Sequence, residues 1–251
     1  MKMIIIAILC WCYAGYAYPS AKPTLHLYTE TFPPYNYLKD KRVVGINTEI
    51  VTQACILAAL KCVIRLLPWS RAVALTNKNN YAGIYSMSRN QEREENYHWV
   101  GPLVASENYL FRLKSRSDMQ ISDLASATKY SIAAPRNDIY EKLLQERGFK
   151  NLLQLSSKFQ SVKLFLAGKV DLLIASPLTL PYQLAEYDAN VNMLEQLMPL
   201  PVPELQGNYL ALHPDIAQEY VDKLQQALDT LHSSGKVDKI ILHYKNEMLQ
   251  H

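Results

Sequence analysis

Cys55 and Cys62 are the residues beyond position 17 whose type and spacing most directly suggest chemistry. They stand in GINTEIVTQACILAALKCVIRLLPW, where the spacing of apolar residues before Cys55 is helical and the β-branched run after Cys62 predicts a strand. Thiols this close tend to pair in an oxidising compartment, which favours a Cys55–Cys62 disulfide. Two buried free thiols are the alternative. A metal site is the least favoured interpretation, because two ligands without a nearby His or Cys cluster do not complete one.

The histidines do not form a catalytic pattern. The six of them are scattered along the chain: His26, His98, His213, His232, His243 and His251. They show no H-E-x-x-H, Ser/His/Asp or Cys/His arrangement, so an acid or base for catalysis cannot be singled out. The sequence therefore predicts no catalytic residue, no metal site and no cofactor.

The first 17 residues, MKMIIIAILCWCYAGYA, have the organisation of a cleaved signal peptide. Lys2 gives a positive start, Ile4–Tyr13 is an apolar run too short to span a bilayer, and Gly15 and Ala17 are small residues that a signal peptidase accepts. A bulky Leu precedes Cys10, which makes a lipoprotein anchor the weaker interpretation. We expect export to the periplasm and a water-soluble mature protein.

Composition and charge narrow the function classes. The chain has 251 residues, of which 49% are hydrophobic and 20% charged, as is ordinary for a globular protein. The formal net charge is +3 without a basic run that could follow phosphates, so nucleic acid is an unfavoured partner. The length suits one wide domain or two smaller ones.

Strand-like and helix-like segments alternate, which predicts an α/β fold with largely parallel sheets. The predicted strands are Leu25–Thr29, Val63–Leu67, Gly83–Tyr85, Tyr109–Leu113, Tyr130–Ala133, Val170–Ala175 and Tyr209–Leu212. Helical patterns lie between them, one of which opens at Ser156 or Ser157. Two longer helices are predicted at the end of the chain, over Pro214–Leu231 and Ser234–Leu249.

Several segments in this order resemble the family 3 solute-binding proteins of ABC importers, which include periplasmic receptors for polar amino acids. The segments are LYTETFPPYNYLKDKRVVGINTEIV, LLPWSRAVALTNKNNYAGIYSMSRNQERE, YSIAAPRNDIYEKLLQERGF, LFLAGKVDLLIAS, ELQGNYLALHPD and VDKIILHY. The resemblance implies a monomer of two α/β lobes with a ligand cleft between them. It implies lobe 1 from residues 18–112 and 207–251, lobe 2 from 113–206, and crossings near Tyr109–Arg116 and Glu204–Tyr209.

The same resemblance makes Arg93 the first candidate for ligand binding. In the family, the Arg of a Thr-x-Glu-Arg element makes a forked salt bridge to the ligand carboxylate, a task that suits the planar guanidinium. This chain has Asn90 in place of the Thr and keeps Arg93. The alternative is a solvated arginine in the charged run Arg89–Glu95. Ser86, Met87 and Ser88 occupy the place of a Gly-Met-Thr-like ligand loop, or else cap the segment that follows.

Further cleft candidates lie around the Pro-Pro turn and the second helix. Tyr35 and Trp69 offer aromatic faces, although Trp69 ranks below Tyr35 because it is better explained as a core residue. Glu30 and Arg71 lie beside these elements and either meet a ligand charge or form ordinary surface pairs.

Lobe 2 departs from the family pattern at Ser176. The family commonly has an acid there for the ligand ammonium, and a buried ammonium without a partner is costly unless another acid such as Glu30 substitutes. Asp171 is interpreted as structural. Asn137 offers helix N-terminal amides to an anion, whereas Asp138 is better explained as a cap.

The resemblance predicts a periplasmic receptor that captures a small solute, amino-acid-like or an organic acid, for an ABC permease. Two alternatives stay open at this point. One is a dehydratase-like enzyme on the same fold, and the other is a ligand sensor for a separate signalling partner.

Overall fold

A five-stranded mixed sheet forms the centre of the first half of the fold. The computed structural model describes residues 23–105, 107–136, 139–155, 158–200 and 207–249. The strands of this sheet follow the order β4-β1-β5-β12-β6, where β1 is Leu25–Thr29, β4 Cys62–Leu66, β5 Ala82–Met87, β6 His98–Ala105 and β12 Gly207–Leu212. β1 pairs in parallel with β4 and β5, whereas β12 runs antiparallel to both of its neighbours.

Four helices cover this sheet, and we call the assembly lobe 1. The helices are α1 (Ile46–Leu57), α2 (Trp69–Thr76), α7 (Gln218–Ser233) and α8 (Lys236–Leu249). One core lies under α1, α7 and α8 and includes Ile50, Leu224 and Ile240. A smaller core on the α2 side includes Ala72 and Ile84. A short hairpin of β2 (Tyr37–Lys39) and β3 (Arg42–Val44) precedes α1.

The remaining elements form lobe 2. Its antiparallel sheet has the order β10-β7-β11, with β7 at Tyr109–Leu113, β10 at Leu173–Ala175 and β11 at Leu194–Pro199. β8 (Ile132–Pro135) and β9 (Leu152–Leu155) pair in parallel, and a bridge joins Ile132 to Leu172. The helices are α3 (Leu124–Ala127), α4 (Ile139–Glu146), α5 (Lys158–Leu166) and α6 (Leu180–Ala185). Two separate hydrophobic cores, around Leu144 and Phe165, stabilise this lobe.

The α/β fold with two lobes is confirmed, and the expectation of largely parallel sheets is wrong. β7, β10 and β11 form an antiparallel sheet, because β7 and β11 are the strands next to the two connections between lobes. The predicted strand at Val170–Ala175 is shorter, and the predicted strand at Tyr130–Ala133 begins two residues later. The helices predicted from Pro214 and Ser234 begin at Gln218 and Lys236.

The chain changes sheets between Ala105 and Tyr109 and returns between Pro199 and Gly207. The first change comes before the crossing expected at Tyr109–Arg116, where the structure has β7. The two connections touch, since Leu200 N donates to the carbonyl of Asn108 at 2.8 Å. Residues 201–206, which hold the first half of the second expected crossing, lie outside the described residues, and the lobe limits at 112 and 207 stay a prediction.

Cys55, near the end of α1, is bonded to Cys62, the first residue of β4, in the disulfide favoured by the sequence. The bond joins the helix end to an edge strand of the sheet. Among the described residues no helix is long and apolar enough to span a membrane. The expected signal peptide, residues 1–17, lies outside the described residues.

Candidate functional site

The Pro-Pro turn caps the N-terminus of α1. Ile46 N donates to the carbonyl of Pro34 and Asn47 N to that of Tyr35, both at 2.9 Å. These carbonyls satisfy amides that have no partner inside the helix. Gly45 makes the close approach possible, because its φ is +121° and a Cβ there would lie 2.4 Å from the carbonyl oxygen of Tyr35. The turn and the helix are therefore held as one rigid edge of lobe 1.

Tyr35 connects this edge to lobe 2. Its side chain is only 2% exposed, and its ring lies 5.0 Å from that of Phe32 between centroids. Burial raises the pKa of Tyr35 to about 12, while a hydrogen bond with Ser176 acts in the opposite direction. Leu178, two residues after Ser176, packs against the core of lobe 1. The two lobes are therefore in contact at this point.

A second contact between the lobes involves tyrosines at the rim. Tyr182 of α6 lies 6.4 Å from Tyr37 of β2 between ring centroids. Burial is the main cause that raises the pKa of Tyr182 to about 12, and the nearby Tyr37 and Glu247 add to it. Both rings stay protonated at neutral pH, so this contact is uncharged.

Ser86 lies at the centre of a chain of hydrogen bonds at the end of β5. Asn36 Nδ2 donates to the carbonyl of Glu30, Ser86 Oγ donates to Asn36 Oδ1, and Asn47 Nδ2 donates to Ser86 Oγ at 2.9 Å. Ser86 has a φ of +65°, a left-handed conformation that is strained for a residue other than Gly. The hydrogen bonds of the network offset that strain. The single hydroxyl proton of Ser86 is donated to Asn36.

The network orients Asn47. The Asn36 amide nitrogen donates to Glu30, so its oxygen must accept the proton of Ser86. Ser86 can then only accept from Asn47, which must donate through its amide nitrogen. The oxygen of Asn47 therefore points away from the network. Within the described part of the chain, this Oδ1 atom is buried and has no hydrogen-bond partner. A buried acceptor of this kind is an exception that calls for a physical explanation.

Tyr85 supports the network from below. Thr29 Oγ1 donates to its backbone carbonyl at 3.2 Å, and its hydroxyl shares a hydrogen bond with Thr48 Oγ1 at 2.9 Å. Burial raises the pKa of Tyr85 well above its ordinary value. Thr29, Thr48 and Tyr85 have no functional signal in the sequence, because there they are ordinary members of strands and a helix.

Arg93 follows β5 in a loop closed by Asn90. Arg93 N donates to both the backbone and the side-chain oxygen of Asn90 at 3.1 Å, and its guanidinium donates to the carbonyl of Ser88 at 3.2 Å. In the part of the chain that the structure describes, its guanidinium forms no ion pair with a carboxylate. Arg93 is therefore a partly buried cation that retains donors for an anion.

Arg89 fixes the same loop to the sheet. Its guanidinium forms a forked ion pair with Glu94 and lies 5.8 Å from the ring centroids of Trp99 and Tyr209. Trp99 Nε1 donates to the carbonyl of Glu94 at 3.1 Å. The Arg89 hydrogen bond holds the pKa of the Glu94 carboxyl below its ordinary value. The guanidinium of Arg89 is paired with a carboxylate, whereas that of Arg93 donates to a neutral carbonyl.

Residues 26–247 match the model of the bacterial extracellular solute-binding proteins, family 3. The chain belongs to this family. No sequence among curated proteins matches it significantly. This match confirms the resemblance seen in the sequence. Because the proteins of this family are extracellular solute-binding proteins, a periplasmic or extracellular location follows.

Solved structures share the two-lobed fold of the family. Substrate binding domain 2 of Lactococcus lactis GlnP, in an open conformation, is 17% identical, with 92% of this chain and 98% of that chain covered at a TM-score of 0.68. An amino acid ABC transporter substrate-binding protein from Streptococcus pneumoniae bound to L-arginine is 19% identical, with coverages of 88% and 93% at 0.67. A histidine kinase sensor domain with similarity to periplasmic binding proteins is 17% identical. The match covers 88% of this chain and 95% of that chain, with a TM-score of 0.69. At these identities the likeness concerns the fold.

The candidate residues of this family member fall into different environments. Met87 is buried in the α2-side core, and Trp69, the first residue of α2, packs against that core. Arg71 is exposed in the first turn of the helix, and Glu30 is partly buried beside the Pro-Pro turn. Whether any of these five residues, Arg93 included, contacts a ligand stays a prediction. Asn137 and Asp138 lie outside the described residues.

Two lobe 2 residues have structural partners. Ser176 is 8% exposed, and besides its bond with Tyr35 its Oγ accepts from Leu178 N at 3.3 Å. Asp171 accepts from Ser131 N and Oγ at 2.9 and 2.7 Å and from Arg116 at 2.6 Å. Although burial alone would raise it, the pKa of Asp171 is lowered because these hydrogen bonds favour the carboxylate.

Among the described residues, no group of three or more His, Cys, Asp or Glu side chains could hold a metal ion.

Proposed function

We propose that the mature protein is a receptor that binds a small carboxylate-bearing solute between its lobes and passes it unchanged to an ABC importer. The observation that carries the proposal is the guanidinium of Arg93, which is partly buried, is held by the Ser88 carbonyl and forms no ion pair within the described residues. A partly buried cation without a counter-ion is suited to a forked salt bridge with a ligand carboxylate.

The neutral Ser176 defines the class of solute further. It lies after the end of β10, buried and bonded to Tyr35, so it offers no negative charge to a ligand ammonium. An ammonium buried there without a counter-charge would be strongly disfavoured. We therefore propose an organic acid as the preferred ligand, and an amino-acid-like solute only if Glu30 supplies the acid.

Thermal unfolding of the purified mature protein against organic acids, amino acids and amines tests this proposal. A ligand that binds only the folded protein stabilises it by about 2.7 kcal/mol at a hundredfold excess over Kd. We expect carboxylates to raise Tm and simple amines to leave it unchanged. A rise in Tm caused only by amines would contradict the proposal.

Glu30→Gln separates the two solute classes, because it removes the charge and keeps a similar shape. It should weaken binding of an amino acid and leave an organic acid unaffected, as measured by calorimetry. The bound ligand should also keep its mass after long incubation. Protein-dependent product formation would instead favour the dehydratase-like enzyme.

A sensory receptor is the second candidate, because a histidine kinase sensor domain shares the fold. Measuring solute uptake and ligand-induced transcription in cells with and without the gene separates the two uses. Loss of uptake supports transport, whereas loss of the transcriptional response with normal uptake supports sensing.

A further inference from the structure

Lobe 1 has a second concave site, away from the contact between the lobes. It lies between the β2–β3 hairpin, α1 and the edge strand β4, and its volume is about 480 Å³. Small-molecule sites typically occupy about 300–1,000 Å³, so this groove is large enough for a compact ligand.

Part of the groove wall is apolar. Val43 of the hairpin, Ile56 of α1, Ile64 of β4 and the Cys55–Cys62 disulfide line it. Leu38 stands directly opposite Val43 in the hairpin, so the two side chains share one face. Leu38 is 60% and Ile56 64% exposed. A cluster of exposed apolar side chains around a concavity is typical of a binding surface, whereas single exposed apolar side chains scattered over a surface are not.

The charges of the groove have one sign. Lys41 and Arg42 line it from the tip of the hairpin, where Asp40 and Lys41 have φ values of 48° and 63°. Within the described residues, neither Lys41 nor Arg42 forms an ion pair, whereas the neighbouring Lys39 pairs with Glu247 at 3.6 Å.

The hydroxyls that line the groove are already used. Thr52 Oγ1 donates to the carbonyl of Thr48 at 2.7 Å, and Thr48 Oγ1 bonds with the Tyr85 hydroxyl. The polar recognition that this groove offers is therefore that of two cations, which select an anion.

We propose that this groove binds an amphiphilic carboxylate, with the anionic head at Lys41 and Arg42 and the apolar body on Val43, Ile56 and Ile64. The site is separate from the proposed solute site between the lobes, and neither needs the other.

Titration of the mature protein with sodium octanoate, followed by amide NMR shifts, tests the proposal. We expect saturable shifts in the hairpin and the second half of α1. The double variant Lys41→Gln/Arg42→Gln should weaken binding at least tenfold, and Ile56→Glu should do the same by adding a negative charge to the wall. All three positions are exposed, so the fold should be retained.

Three controls make the outcome decisive. Octan-1-ol should bind at least tenfold more weakly, and equal binding would overturn recognition of the carboxylate. Arg93→Ala should leave the octanoate shifts in the hairpin and α1 unchanged, so failure of the cleft proposal is distinguishable from failure of this one. Absence of saturable shifts, or shifts confined to residues near Tyr35 and Ser176, would overturn it.

A membrane lipid headgroup offers the same chemistry as a free amphiphile. Co-sedimentation with phosphatidylglycerol vesicles, compared with the octanoate titration, distinguishes the two sources. Vesicle binding that depends on Lys41 and Arg42 in a protein that does not bind octanoate would replace the small-molecule proposal with a membrane surface.

Discussion

The two lobes differ in the polar residues that lie near the contact between them. On lobe 1, Ser86 bonds with both Asn36 and Asn47, and among the described residues the guanidinium of Arg93 forms no ion pair. On lobe 2, Ser176 is neutral, and its bonds are to its own turn and to Tyr35 of the other lobe. Lobe 1 therefore holds its polar side chains by contacts within the lobe, whereas Ser176 of lobe 2 is held in part by a contact with the other lobe. Such a division lowers the cost of ordering on binding.

Of the substitutions that test this difference between the lobes, Arg93→Ala should have the largest effect, which is on ligand affinity. If lobe 1 supplies the charge that selects the ligand, removing one partner of a buried charge pair costs about 3–5 kcal/mol, which is several hundredfold in Kd. Calorimetry with the best ligand from the thermal screen measures it, and Tm without ligand should not change. Arg71→Ala is the matched control, because Arg71 is an exposed arginine of the same lobe. Equal ligand affinities for the two variants would mean that Arg93 is a solvated surface arginine that does not contact the ligand.

Gly45→Ala should test the rigidity of the lobe 1 edge. The added Cβ would lie 2.4 Å from the carbonyl oxygen of Tyr35 at a φ of +121°, so we expect a loss of about 2–4 kcal/mol in the free energy of unfolding. Gly148 of lobe 2 is the control, since its φ is +86° but a Cβ there would meet nothing within 4 Å. Gly148→Ala should cost about 1 kcal/mol. Similar urea midpoints for the two variants would mean that the close approach at Gly45 is unimportant.

Replacing both Cys55 and Cys62 by Ala should lower the free energy of unfolding by about 2 kcal/mol, because the closed loop is short. Urea unfolding of the oxidised protein, the reduced protein and the variant measures it. A variant as stable as the oxidised protein would show that the bond does not restrict the unfolded chain. Ligand affinity should stay the same, since the disulfide lies on lobe 1 away from Arg93.

Tyr35→Phe should have the smallest effect, about 1 kcal/mol, because it removes one neutral hydrogen bond between the lobes. Ser176→Ala removes the same bond from the other side. A double-mutant cycle should therefore give a coupling of about 0.5–1.5 kcal/mol in unfolding free energy. Strictly additive losses would mean that the bond does not join the lobes in solution.

The strands with a clear pattern were predictable from sequence, and the remainder were not for identifiable reasons. β1 and β7 have the predicted bounds. β6 was missed because Gly101 and Pro102 interrupt its apolar pattern. The β2–β3 hairpin was missed because its turn places Asp40 and Lys41 at positive φ without the Asn-Gly or Asp-Gly signal that normally marks such turns.

The contacts of the candidate site could not be predicted from the sequence, and whether its residues bind a ligand stays a prediction. Ser86 was selected as a ligand residue, but its hydroxyl bonds with Asn36 and Asn47, which are 50 and 39 residues away. Local patterns cannot show such contacts, because they depend on how β5, the Pro-Pro turn and α1 meet in three dimensions. Asp171, interpreted as structural, has the hydrogen bonds of a structural residue.

Arg89 has a consequence for the two aromatic rings that it covers. The faces of Trp99 and Tyr209 already receive the guanidinium of Arg89, which is also neutralised by Glu94. A solute with a cationic side chain would have to displace this internal cation before it could stack on either ring. The aromatic surface of Trp99 and Tyr209 is therefore already occupied by a cation of the protein itself.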